Sequence, residues 1–236
     1  MARVRIICGI GIVAAVLAVG YGAPRLLRRV KFFQVRQIEL VGVRYLSPDA
    51  VITALRLRPD ASVFDATSPL AARVRELRGV ADARVVRRLP AALQVIVREV
   101  EPVALVARSG PGMLVVDATG RALPYDPARS TLDLPVVSSA DSAIAALLEL
   151  IRSVEPGLYQ DVTAARRLGR SDVELDLGAP ARRVLFARDA GADVIRMVVM
   201  VREDLAARGR SYAELDARFA SQVVVRRAVS RRPAGG

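Results

Sequence analysis

Hydrophobic and polar positions divide the chain into three stretches of different character. From Ile6 to Ala23 there are eighteen residues and no charge, with Arg3 and Arg5 before them and Arg25, Arg28, Arg29 and Lys31 after. As a helix at ~1.5 Å per residue they would reach about 27 Å, close to a hydrocarbon core of ~30 Å. A surface helix of a soluble domain would carry a polar face, which this stretch lacks. It reads as a transmembrane anchor over 6–23 behind a short N-terminus, 1–5. The small residues near Pro24 make a poor cleavage site, and the basic cluster after it resembles a stop at the membrane surface, so the anchor is read as uncleaved. Counting Lys and Arg would put the more basic C-terminal side in the cytoplasm, but long domains translocate largely regardless of charge. Charge leaves orientation open.

From about Phe32 to Pro102 the period switches between two and 3.6. FQVRQIELVGV reads as a strand, with Gly42 marking a bulge or turn at its end. SPDAVITALRL opens a helix with Ser47 as N-cap and Pro48 in the first turn, and Val51, Ile52 and Leu55 as its apolar face. Phe64 is expected in the core. TSPLAARVRELRG repeats the capping signature at Ser68 and Pro69, buries Leu70, Val74 and Leu77, and stops at Gly79. Val80–Arg88 and ALQVIVREV read as two strands joined at Leu89-Pro90. The order β-α-α-β-β predicts a three-stranded mixed sheet with two helices on one face, over residues 33–102.

Residues 103–226 read mostly as strands: PVALVAR, MLVVD, RALPYD, DLPVVS, DVTAARRL, DVELDLG, RRVLFA, YAELDARF and SQVVVRR. Asp117, Thr119 and Gly120 suit a hairpin turn. One helix is expected over Ser142–Val154, presenting Ile144, Leu147, Leu148 and Ile151. A second is expected over Asp193–Arg208, burying Val194, Met197, Val198, Val201 and Leu205. The fold class is therefore α+β: an anchor, the small mixed-sheet module, and a mostly antiparallel β domain with two helices. A basic tail, 227–236, closes the chain and is expected to be disordered.

Composition narrows the function. A 53% hydrophobic content supports true cores. Net charge is +12, yet aromatics are only 4% and the arginines are interspersed with acids, so the stacking stripe of a nucleic-acid binder is missing. Attraction of Arg25–Lys31 to anionic lipid heads fits better. Histidine is absent and the single cysteine, Cys8, lies in the expected anchor, which removes His- and Cys-based nucleophiles, zinc sites and disulfides. Gly9, Gly11 and Ala14 match G-x-G-x-x-A, but the first acidic residue, Glu39, is about ten positions too late for a dinucleotide ribose. The glycines suit a membrane helix, where with Ala14, Ala15 and Ala18 they offer a flat face. Glu99 with Glu101, and Glu174 with Asp176, share strand faces or ends; both pairs are read as solvated surface charge rather than acid-base machinery. No catalytic residue, cofactor, metal or small-molecule substrate is expected, and the chain reads as a non-enzyme.

Recognition remains. A mixed sheet with an open edge can accept an extended strand, and FASQVVVRR is the candidate edge. The order of elements resembles a POTRA module. LRGVADARVVRRLPAALQVIVREVEPVAL is similar to the most recognisable stretch of the FtsQ/DivIB cell-division family, in Val80, Ala83, Arg87, Arg88, Pro90, Glu99 or Glu101, Pro102, Val103 and Ala104. That resemblance implies a single-pass inner-membrane division scaffold with a cytoplasmic N-terminus and periplasmic domains, enriched at the septum. It also implies that the C-terminal strands bind FtsB of the FtsB–FtsL pair, while the POTRA module meets earlier recruitment proteins. Arg218, Phe219 and Ser221 fall on family positions implicated in the contact, with Phe219 as aromatic anchor. Val223, Val225 and Arg226 complete the expected surface. Arg226 and Arg227 depart from members that carry a tryptophan there, which puts the partner's side-chain register in question. A POTRA-bearing factor for outer-membrane export or assembly is the alternative; it normally wants a barrel of many ten-residue strands.

Overall fold

The computed structural model describes residues 30–108, 110, 112–128, 132–178, 182–219 and 221–227. The expected anchor, the segment before it and all but the first residue of the basic tail lie outside the described residues. Among the described residues no helix is long and apolar enough to cross a membrane. The chain divides into two compact units, one ending at Val100 and one beginning at Glu101.

The first unit follows a 3-10 turn at Lys31–Phe33 with β1 (Gln37–Val41), α1 (Pro48–Leu55), α2 (Ser68–Arg75), β2 (Val80–Arg88) and β3 (Ala92–Glu99). Its sheet order is β1-β3-β2, with β1 parallel and β2 antiparallel to β3. Alternation sends Ala83, Val85, Leu93, Val95 and Val97 to one face, where Val51, Leu55, Leu70 and Val74 of the two helices meet them. Three details differ from the expected core. Leu77 is half-buried, because α2 ends at Arg75 and leaves it in the turn that follows. Ile52 is exposed, because a two-turn helix with Val51 and Leu55 inward leaves position 52 about 100° away from the sheet. Phe64 is half-buried, stacked edge-on against Phe33 with ring centroids 5.0 Å apart, and its neighbour Val63 fills the core instead.

Gly42 ends β1 at φ +83°, and a Cβ there would lie 2.2 Å from the Val97 carbonyl oxygen of β3. Both the left-handed backbone and the close approach require glycine. Gly42→Ala is expected to destabilise this unit by about 3 kcal/mol, read as a lower urea midpoint.

The second unit comprises β4 (Ala104–Ala107), β5 (Met113–Val116), β6 (Ala122–Leu123), β7 (Val136–Val137), α3 (Ser142–Val154), α4 (Pro156–Asp161), β8 (Val162–Leu168), β9 (Asp172–Leu177), β10 (Arg182–Phe186), α5 (Ala192–Ala207), β11 (Glu214–Phe219) and β12 (Gln222–Arg226). They form one sheet of order β12-β11-β10-β9-β8-β7-β4-β5-β6. Five neighbouring pairs are antiparallel and three, β4–β7, β7–β8 and β10–β11, are parallel. The parallel pairs β7–β8 and β10–β11 are those with helices in the connection, since parallel neighbours need a crossover. Three helices appear where two were expected. The extra one, α4, begins at Pro156 immediately after α3 and buries only Leu158 and Tyr159, too short to show a period.

Ile144, Leu147, Leu148 and Ile151 are buried as expected, and Asp141 caps α3 by accepting a 2.8 Å hydrogen bond from the Ala143 N–H. In α5 the buried pair is Ile195 and Val198, with Val194, Val201 and Leu205 packed at the margin. The stripe is centred one position from where it was expected, because Ile195, three residues before Val198, takes the inward position. Asp117 makes the expected turn: its Oδ1 accepts from the N–H groups of Thr119 and Arg121, and Gly120 sits at φ +78°.

Candidate functional site: the β11–β12 edge

Leu215 and Ala217 of β11 belong to the same buried cluster as Ile195 and Val198 of α5, so this face of the sheet is the helix-covered one. The alternate residues point to the opposite face, and strand register lines them up. One row runs Arg166, Glu174, Leu185, Asp216, Val224 from β8 to β12. A second runs Ala164, Asp176, Arg183, Glu214, Arg226.

These rows form a continuous ion-pair ladder. Arg166 reaches Glu174 at 2.6 Å and Asp176 at 3.2 Å; Arg183 reaches Glu174 at 3.3 Å and Glu214 at 3.6 Å. Arg226 of the edge strand meets Glu214 at 3.3 Å and Asp216 at 3.9 Å. Glu174, Glu214 and Asp216 are buried under the arginine stems. Glu174 is therefore not the solvated charge expected of it. Nor is Glu99 in the first unit, which is buried and accepts N–H bonds from Arg44, Tyr45 and Leu46 at 3.0, 2.9 and 2.9 Å. Each of these carboxylates is held by cations or backbone donors in a structural role.

Arg218 lies inside this ladder. Its Nε and Nη2 donate to the two carboxylate oxygens of Asp216 at 2.8 and 2.6 Å, and Nη1 donates to Asp172 at 3.2 Å. Those bonds push its pKa upward and, with the Arg218 guanidinium as first cause, pull that of Asp216 below the ordinary carboxylate value. The Arg218 charge is spent within the sheet.

Phe219 ends β11 with 46% of its surface exposed, so it is not a core residue. Ser221 is exposed in the turn to β12, in the left-handed region at φ +62°. Val223 is half-buried against the core, whereas Val224 and Val225 are exposed. Between Asp216 and Phe219 the register slips by one residue, a bulge in β11 opposite Val223.

β12 is paired on one side only. The Arg226 carbonyl accepts from the Ala213 N–H, so alternation turns the N–H and C=O groups of Arg226 and Val224 toward β11 and those of Val223 and Val225 outward. The opposite edge, β6, has two residues and offers no comparable template. The expected surface is thus split by the structure. Phe219, Ser221, Val225 and the outward backbone are presented at the edge, while Arg218 and Val223 face inward contacts and Arg226 bridges to Glu214. Sequence reading missed Glu214, Asp216 and Asp172. The signal was the alternation Glu-x-Asp-x-Arg in β11 beside basic residues of β12, the pattern of a cross-strand charge row. Among the described residues no group of three or more His, Cys, Asp or Glu side chains is arranged to hold a metal ion.

Residues 33–99 match the POTRA domain of FtsQ type, so the first unit is a POTRA domain and the chain is a POTRA-bearing protein. Proteins named cell division protein FtsQ from Mycobacterium bovis and from two strains of Mycobacterium tuberculosis are each 30% identical to it over 154 residues, 64% of this chain and 48% of theirs. The resemblance to the FtsQ family is thus carried by the FtsQ-type POTRA domain and by a similarity that extends over 64% of the chain. It spans about half the length of the curated relatives it matches.

Proposed function

We propose that this protein is a cell-division scaffold whose C-terminal β11–β12 edge receives an extended strand from FtsB in the FtsB–FtsL complex. Residues 6–23 anchor it in the inner membrane with 1–5 in the cytoplasm, both folded units act outside the cytoplasm at the septum, and the POTRA domain meets upstream recruitment proteins. The scaffold relays activation to septal peptidoglycan synthesis and performs no catalysis itself. The observation that supports this most is the long, one-sided β12 edge, with outward backbone groups at Val223 and Val225 and an exposed aromatic, Phe219, beside it. Strand addition draws affinity from such main-chain groups and specificity from alternate side chains. The rival reading, an export or assembly factor with a barrel, needs strand closure, and this sheet ends openly at β12 and β6.

Two variants test the surface. Val225→Pro removes an outward N–H without taking a donor from the β11–β12 ladder, a position where edge strands tolerate proline. It is expected to weaken FtsB–FtsL binding about tenfold with the melting profile retained. Phe219→Ala is expected to cost about 2 kcal/mol of binding, as central aromatics do. Wild-type affinity in both variants, measured by calorimetry, would place the partner elsewhere. A fluorescent fusion lacking septal enrichment would remove the division role.

A further inference from the structure

The start of the POTRA domain and the β2–β3 hairpin tip lie at one end of its sheet. β1 runs parallel to β3 with Gln37 beside Ala92, and the Arg36 N–H donates to the Ala91 carbonyl at 2.8 Å. That end exposes three large apolar side chains: Val30 at 44%, Phe32 at 57% and Leu89 at 64%. Leu89 is the most exposed large hydrophobic residue among those described, and it stands at a hairpin tip where no fold requirement calls for leucine. Lys31, Arg36 and Arg88 surround the group. Among the described residues the side-chain hydrogen bonds of the two arginines go to neutral acceptors, the Phe32 carbonyl and the Gln94 amide oxygen, and the Gln94 amide in turn donates to Glu39 at 3.3 Å.

Only six residues, Pro24 to Arg29, separate the uncharged stretch Ile6–Ala23 from Val30, and three of them are arginine. A fully extended link of that length covers no more than about 25 Å. Whatever holds the uncharged stretch therefore holds this end of the POTRA domain close by.

We propose that this end of the POTRA domain docks on the anionic lipid surface, with Phe32 and Leu89 seated at the headgroup level and Lys31, Arg36 and Arg88 against lipid phosphates. The proposal rests on the anchor reading above. Aromatic and aliphatic side chains rimmed by cations are the interfacial combination that lipid headgroups accept, and each basic residue near an anionic surface adds to the attraction. Docking would fix the orientation of the domain on the membrane instead of leaving it free on its tether.

The chain has no tryptophan, so single replacements report on position directly. The full chain carrying Phe32→Trp, Leu89→Trp or, at the other end of the sheet, Arg78→Trp is reconstituted in vesicles of brominated phosphatidylcholine containing about one third brominated phosphatidylglycerol. Tryptophan at positions 32 and 89 is expected to lose about half its emission, and at 78 less than about a tenth. With phosphatidylglycerol omitted, quenching at 32 and 89 should fall toward that of 78. Co-flotation with the vesicles and equal, weak quenching at all three positions overturns the docking while leaving the anchor intact. A chain that does not co-float overturns the anchor and the docking together. Strong quenching at 78 overturns the assigned face.

Discussion

Glu99→Ala is expected to destabilise the POTRA domain by about 3–4 kcal/mol. Glu99 is the last residue of β3, and its buried carboxylate gathers the N–H groups of Arg44, Tyr45 and Leu46 in the segment that leads from β1 into α1. Alanine leaves three backbone donors without an acceptor, one of them at the buried Leu46. Removing one partner of a buried bond costs more than the bond contributes net. In a domain of this size the loss corresponds to roughly 15–25 °C in melting temperature. Glu99→Gln keeps one good acceptor and should lose about half as much. Amide exchange in β1 and β3, compared across the three proteins, gives the order; equal protection in Glu99→Ala and wild type contradicts it.

Arg218→Glu is expected to destabilise the second unit by about 3 kcal/mol, whatever it does to partner binding. Asp216 is almost fully buried and loses its two shortest charge-assisted bonds, and a third acid is added beside Asp216 and Asp172. Arg218→Gln separates charge from bulk through pH. Asp216 titrates below its ordinary value in the folded protein, chiefly because of the Arg218 hydrogen bond. Its contribution to stability is thus complete above the unfolded value of about 3.9 and is lost as pH falls below that. In Arg218→Gln the folded-state value moves back toward the unfolded one, so the part of the acid limb that Asp216 contributes should shrink. Unchanged acid limbs in urea titrations would mean that Asp216 is not held by Arg218.

The POTRA fold is legible in the chain because its signals are local and regular. Pro48 and Pro69 mark helix starts, and the strand Val80–Arg88 alternates over nine residues with the boundaries expected for it. Phe64 and Ile52 were misplaced for a geometric reason: in short elements a one-residue rotation exchanges core and surface without changing composition. The same rotation hid Ile195 in α5. α4 left no trace because six residues show no period.

At the edge, Phe219 and the valine run are visible in sequence, as is the chance of strand addition. The role of Arg218 is not. Its partners, Asp216 two residues away and Asp172 forty-six residues away, converge only when β9 and β11 flank β10 in the sheet. An arginine beside an expected interface looks like a contact residue until that register is known. Glu99 and Glu174 were read as solvated for the same reason, since burial of a carboxylate depends on donors brought from distant segments.

The most direct measurement is amide hydrogen exchange along β12 in residues 30–227, alone and with the FtsB–FtsL complex. Strand addition predicts that the outward amides of Val223 and Val225 slow about tenfold or more on binding, while those of Val224 and Arg226, already turned toward β11, change little. Binding without added protection at Val223 and Val225, or protection centred on α5 or β6 instead, would contradict the account.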